Sequence, residues 1–133
     1  MSGCHNDVGN MKEYIKDIHG FEESHITVLM DDGKHTEPTR DNILKAYRDL
    51  VSASKSGDAV FIHYSGHGGK LIDDDGDEKD GFDETLVPVD YASAGQIRDD
   101  DLFTTLIGPM ASGVTMTCLF DCCHSGTCIV ISY

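Results

Sequence analysis

The sequence has few basic residues and no long apolar stretch. It contains 10 Lys and Arg against 24 Asp and Glu, which gives a formal net charge of −14 over 133 residues. Such a chain disfavours binding to nucleic acid or to an anionic membrane, because neutralising phosphates needs a positive face. It favours divalent cations or Lys- and Arg-rich peptides as partners. The apolar runs are too short to cross a bilayer, and residues 1–7 carry neither a basic nor an apolar segment, so we expect no membrane span and no signal peptide.

The cysteine content does not suit a framework of disulfides. The five cysteines make an odd number, and four of them fall within residues 118–128. We therefore expect a reducing compartment, either the cytoplasm alone or the nucleus as well. In such a compartment a cysteine serves as a buried apolar residue, a metal ligand or a nucleophile.

Helix and strand patterns alternate along the chain, which is long enough for one domain or part of one. Apolar spacing predicts three helices, over residues 7–20, over residues 39–54 and after the acidic turn 99–101. Strands are predicted over residues 25–30, 59–64 and 114–120, with a solvated acidic loop over 65–85 and a short extended piece over 86–90. Two of the strands are continuous apolar runs. This pattern indicates an α/β fold with a parallel sheet covered by helices on both faces.

Two of the predicted strands end in segments that carry reactive side chains. One strand runs into Ser65-Gly-His67-Gly-Gly69, and another runs into Asp121-Cys-Cys-His-Ser-Gly126. Functional groups of parallel sheets gather at the carboxyl ends of the strands. We therefore expect His67 and a cysteine of the second segment to lie close together, where an imidazole can activate a thiolate nucleophile.

Other interpretations of these side chains stay open at this point. His67 alone could be an ordinary loop histidine, and the vicinal cysteines could be a buried apolar pair. A structural zinc ion is a further alternative, although no CxxC pair is present. Its ligands would come from Cys118, Cys122, Cys123, His124 and Cys128. Chemistry alone does not decide which cysteine would attack a substrate.

Four segments, taken in order, resemble one known family. They are His63-Tyr-Ser-Gly-His-Gly-Gly69, Asp74-Asp-Gly-Asp-Glu-Lys-Asp-Gly-Phe-Asp-Glu84, Pro88-Val-Asp-Tyr91 and Asp121-Cys-Cys-His-Ser-Gly126. Together they resemble metacaspases of type I, which are caspase-fold cysteine peptidases that cleave after Arg or Lys and are usually activated by calcium. The resemblance implies an incomplete caspase-like parallel sheet flanked by helices on both faces. It also implies a thiol protease, from a family associated with programmed cell death (apoptosis).

The resemblance assigns the catalytic residues by position. His67 corresponds to the catalytic histidine, and Cys123 corresponds to the nucleophile, whereas Cys122 is its neighbour. His67 would assist formation of the Cys123 thiolate and would protonate the leaving amine. The backbone N–H groups of Gly68 and Cys123 are the expected oxyanion donors.

The resemblance also implies an acidic substrate pocket. Asp7, in the segment Cys4-His-Asn-Asp7, matches one member of the pocket, and Ser65 and Asp121 match the others. Carboxylates in a partly dry pocket favour a guanidinium or ammonium group. The alternative role for Asp7 is a helix cap, and for Asp121 a cap at a strand end.

Calcium is the cofactor that the resemblance implies, and no organic cofactor is expected. By position, Asp83, Asp99 and Asp100 match the calcium ligands of the family. A further Asp is expected after the nucleophile, but this chain has Val130 there, which weakens the expected site. The acidic run 73–80 does not fit an EF-hand loop, because its spacing puts Leu71 or Gly76 at the first ligand position, and such a run is normally a solvated face.

The resemblance places residues 1–133 in one partial catalytic domain. This domain corresponds to the large-subunit region of a metacaspase, without the family's apolar first strand and C-terminal portion. The expected function is an endopeptidase acting on proteins or peptides with Arg or Lys at the cleavage site. The alternatives are a truncated, inactive module that binds or regulates a full-length metacaspase chain, and an acidic domain that binds divalent metal ions.

Overall fold

The computed structural model describes residues 2–72, 82–122 and 128–132. The helices are α1 (Ser2–His19), α2 (Arg40–Ala53), α3 (Tyr91–Ala94) and α4 (Asp99–Leu102). The strands are β1 (Ala59–Gly66), β2 (Gly68–Ile72), β3 (Phe82–Leu86), β4 (Ile97–Arg98), β5 (Thr115–Cys122) and β6 (Cys128–Ser132). Two short helical turns complete these elements, a 3₁₀ turn at Glu23–His25 and a π turn at Phe103–Ile107.

The main sheet has the strand order β1-β5-β6. β1 and β5 are parallel, and their register runs without a break from Ala59 opposite Thr115 to Gly66 opposite Cys122. β6 lies antiparallel on the other side of β5. The two strands that the apolar runs predicted are therefore adjacent and parallel, as expected for an α/β fold.

Helices pack against both faces of β1. On one face, Val60 and Ile62 join Met116 and Cys118 of β5 in the core, and Ile43, Leu44 and Tyr47 of α2 belong to the same cluster. α1 contacts β1, and a hydrogen bond from Ser65 ties it to the opposite face. α2 begins where the sequence predicts, because the Thr39 side chain accepts a hydrogen bond from the Asn42 N–H and so caps the helix. No described helix combines the length and the apolar content that a membrane span requires.

A second, antiparallel sheet has the order β2-β3-β4. β2 pairs with β3 from Gly68 opposite Leu86 to Ile72 opposite Phe82. The prediction of one solvated loop over residues 65–85 is therefore wrong at both ends of that range. The many glycines and acidic residues of this range indicated a loop, although short apolar segments, Leu71-Ile72 and Phe82, flank the acidic run. These two segments lie in β2 and β3, which pair with each other.

Three further predicted elements differ from the structure. The predicted strand 25–30 is wrong: a 3₁₀ turn ends at His25, and the rest of the segment makes one isolated bridge, between Leu29 and Thr36. A strand needs a neighbour for its backbone groups, and in the described part of the chain neither sheet includes this segment. The first helix begins at Ser2, not at residue 7, and the predicted third helix is a short α4 followed by the π turn.

Candidate active site

The register of β1 and β5 brings the two reactive segments to the same end of the sheet. Gly66, the last residue of β1, lies opposite Cys122, the last residue of β5. A Cβ placed on Gly68 would lie 3.1 Å from the Cβ of Cys122 and 3.4 Å from its Sγ. The residues on both sides of His67 therefore lie against Cys122.

The backbone of His67 is fixed from two directions, while its side chain is exposed. The Tyr64 hydroxyl donates a hydrogen bond to the His67 carbonyl oxygen at 2.9 Å, and the Val87 N–H donates to the same oxygen at 3.1 Å. Burial raises the pKa of Tyr64 to about 12, so its hydroxyl keeps the proton that it donates. Two hydrogen bonds therefore hold the backbone of the catalytic candidate, and its imidazole is open to a substrate.

The predicted nucleophile, Cys123, lies outside the described residues, as does His124. Its role and its distance from His67 therefore stay predictions. Cys118 is 2% exposed in the core, which supports the apolar interpretation for that cysteine. Cys122 is half-buried at the end of β5, next to the position predicted for attack.

The three predicted pocket residues come together from three different elements. Ser65 of β1 donates a hydrogen bond from its Oγ to Oδ2 of Asp7 in α1 at 3.1 Å. Asp121 of β5 lies directly opposite Ser65 in the parallel register. Because α1 begins at Ser2, Asp7 lies in its second turn, and the alternative role of Asp7 as the helix cap is wrong.

Sequence reasoning missed one residue of this cluster, His63. It lies on β1 two residues before Ser65, and residues two apart in a strand point to the same face. Burial lowers the pKa of His63, and the nearby carboxylates of Asp121 and Asp7 oppose that shift. Its place inside an apolar run resembled that of a core residue, and the strand alternation relative to Ser65 was the signal that could have identified it.

Comparison with known proteins agrees with this arrangement. The family model described as "Metacaspase, peptidase C14 domain" matches residues 1–132 of the chain. The chain belongs to the metacaspase family. This confirms the resemblance found in the sequence, and it makes the chain a member of a peptidase family.

Individual metacaspases match the whole chain but only part of their own length. Metacaspase III c of Phaeodactylum tricornutum is 59% identical over 134 residues, which cover 100% of this chain and 40% of that protein. Metacaspase-1B of Aspergillus oryzae is 43% identical over 135 residues, which cover 100% of this chain and 32% of that protein. The chain thus spans about a third to two fifths of these relatives. Their names carry different numbers, III and 1, so the assignment to type I stays a prediction.

A solved structure supports the caspase-like fold of this metacaspase chain. The crystal structure of a protein from Geobacter sulfurreducens superposes with a TM-score of 0.61 at 37% sequence identity. The match covers 77% of this chain and 36% of the other. The incomplete parallel sheet with flanking helices, expected from the sequence, is therefore confirmed.

The predicted calcium residues of this metacaspase lie around α4. Asp99 and Asp100 form its first turn, and the Asp100 N–H donates to Oδ1 of Asp99 at 3.0 Å. α4 also contacts β3, whose backbone includes Asp83. Carboxylate oxygens are the donors that calcium prefers. Among the described side chains no three His, Cys, Asp or Glu residues converge as a metal site, so both the calcium set and the zinc alternative stay predictions.

Proposed function

We propose that this metacaspase chain carries the catalytic residues of a cysteine endopeptidase that cleaves after Arg or Lys. The observation that supports it best is the unbroken register of β1 and β5. That register brings the loop of His67 beside the end of the strand that leads into Cys123. It also aligns Ser65 with Asp121 on the same pair of strands.

In the proposed reaction, the Cys123 thiol gives its proton to His67 and the resulting thiolate attacks the scissile carbonyl carbon. His67 then protonates the leaving amine, which leaves a thioester on Cys123. Water, deprotonated by His67, hydrolyses that thioester and restores the thiol. The N–H groups of Gly68 and Cys123 would stabilise the oxyanion, and the close approach of Gly68 to Cys122 supports this assignment.

Specificity would come from the carboxylates of Asp7 and Asp121. Both are exposed at the rim of the cluster, where a guanidinium or ammonium group of a substrate can reach them. Ser65 holds Asp7 by the hydrogen bond from its hydroxyl, so the carboxylate is oriented before a substrate arrives. An acidic side chain would meet two like charges in the same place and would be rejected.

The first test is turnover of fluorogenic peptides that end in Arg, Lys or Asp. We expect cleavage after Arg and Lys, a loss of at least about 10³-fold in Cys123→Ala, and most of the activity retained in the control variant Cys122→Ala. Activity that survives Cys123→Ala would overturn the assignment of the nucleophile, and cleavage after Asp would overturn the pocket.

A second measurement does not depend on turnover. Iodoacetamide reacts with the thiolate, so the rate of alkylation at each cysteine reports how far it is activated. We expect Cys123 to be alkylated faster than Cys122 near neutral pH, and we expect His67→Ala to slow Cys123 selectively. Equal rates for both cysteines in both proteins would contradict the dyad.

We also propose calcium as the cation that Asp83, Asp99 and Asp100 would bind. Two of the three side chains lie in one helical turn, which contacts the strand that carries the third. Isothermal titration with CaCl2 should show heat that is lost in Asp99→Asn. Absence of calcium heat up to millimolar concentrations would remove this proposal and would leave the peptidase proposal standing.

A further inference from the structure

His63 is the one histidine of the pocket cluster that the proposed reaction does not use. It lies in the middle of β1, half-buried, on the strand face that carries Ser65. Two charged groups act on it, one from the neighbouring strand and one from the helix that packs on this face of β1. They are Asp121 of β5 and Asp7 of α1. Both are the carboxylates to which the proposed function assigns the recognition of a basic side chain.

We propose that His63 is a specificity-determining residue that sets how strongly the pocket attracts a cationic side chain. A neutral imidazole leaves both carboxylates available to a guanidinium group. A protonated imidazole adds a positive charge beside them and so competes with the substrate for the same two carboxylates. This inference rests on the pocket of the proposed function, but not on catalysis by Cys123.

The surroundings of His63 favour the neutral form at neutral pH. Burial penalises the charged imidazole, and this effect outweighs the attraction of Asp121 and Asp7, so the pKa lies below the ordinary value of 6.5. The two carboxylates together contribute two negative charges, which protonation of His63 would reduce to one. The pocket should therefore be most attractive to a cation above the pKa of His63 and less attractive below it.

The test uses agmatine, which carries the guanidinium group of arginine without a carboxylate. Its dissociation constant is measured by NMR titration of the whole chain at about pH 7.5 and at a pH below the pKa of His63, which the imidazole resonance of His63 gives in the same pH series. One added charge near the probe is worth about 1 kcal/mol, so wild-type affinity should fall about fivefold once His63 is protonated. His63→Gln should lose this pH dependence. The exposed His25→Gln is the control and should behave like wild type.

A second readout in the wild-type protein covers the case in which His63→Gln does not fold. Because coupling between two sites is reciprocal, saturating agmatine should lower the pKa of His63 itself, followed through its imidazole resonance. A pKa of His63 that agmatine does not move would overturn the inference. The same pH dependence in His63→Gln as in wild type would also overturn it.

The remaining outcomes separate this inference from the proposed peptidase. No binding of agmatine to the wild-type chain at either pH would overturn both the pocket and the role of His63. A second outcome combines two results: agmatine affinity falls at low pH only when His63 is present, and peptide turnover survives Cys123→Ala. This outcome would support the role of His63 and would overturn the assignment of Cys123 as the nucleophile.

Discussion

At the scale of single residues, the position of the His67 backbone depends on the absence of a side chain at Gly66. A Cβ at this position would lie 2.8 Å from Oη of Tyr64 and 2.9 Å from its Cζ. The Tyr64 ring would have to move, and its hydroxyl would then lose the hydrogen bond to the His67 carbonyl oxygen. We expect Gly66→Ala to lower the free energy of unfolding by about 1–3 kcal/mol, as overpacking does, measured by urea denaturation.

The matched control for this change is Gly9→Ala. Gly9 lies inside α1, and nothing stands within 4 Å of the position that its Cβ would take. Alanine favours a helix over glycine, so this variant should raise the free energy of unfolding by about 0.5–1 kcal/mol. An equal change in both variants would show that the contact with Tyr64 has no consequence.

At this scale the motifs predicted most of the described site, and the fold explains the exception. Asp7, Ser65 and Asp121 are far apart in the sequence, yet the resemblance assigned all three to one pocket, and the structure places them together. His63 was not assigned in this way, because its apolar neighbours made it resemble a core residue. Alternation along β1 puts His63 on the face of Ser65, but the groups that face it there, Asp121 and Asp7, are known only once the neighbouring strand and helix are in place.

At the scale of elements, the start of α2 depends on one hydroxyl. Thr39 Oγ1 accepts a hydrogen bond from the Asn42 N–H at 3.2 Å, and so satisfies one of the donors that a helix start leaves unpaired. Thr39→Ala should lower the free energy of unfolding by about 1 kcal/mol. Thr39→Ser keeps the acceptor and should cost much less. Thermal unfolding of both variants checks this, and equal losses would contradict the cap.

The elements predicted correctly are those whose signal is local. The stripe of α2 and the apolar runs of β1 and β5 need no knowledge of distant residues. Strand 25–30 has the composition of a strand, but composition cannot supply a neighbour, and the structure leaves this segment outside both sheets. For β2 and β3 the error is the reverse, because a loop was predicted where the structure has strands. Each strand is short, and each is stabilised by pairing with the other.

At the scale of the whole molecule, the net charge of −14 should make stability depend on salt. Self-repulsion destabilises a compact chain, and raising NaCl from about 10 mM to about 0.3 M shortens the screening length from about 30 Å to below 10 Å. We therefore expect the Tm in calorimetry to rise with NaCl. A constant or falling Tm would contradict this.

Calcium chloride and magnesium chloride at equal ionic strength provide the control for that measurement. Screening alone should raise the Tm similarly in both salts. A larger rise with calcium would mark a bound ion, because a ligand that binds only the folded state adds to stability.

At this scale the α/β class followed from the alternation of helices and strands, whereas the second sheet needed contacts between segments that no local pattern encodes.

The pairing of β1 with β5 also limits how the chain can change in length. Inserting one residue into β5 ahead of Asp121 would turn that carboxylate to the opposite side of the sheet, away from Ser65. Inserting two residues would restore the side but would carry the carboxylate about 7 Å along the strand. Tolerated insertions and deletions in this chain should therefore fall between the strands, while the number of residues inside each strand is kept.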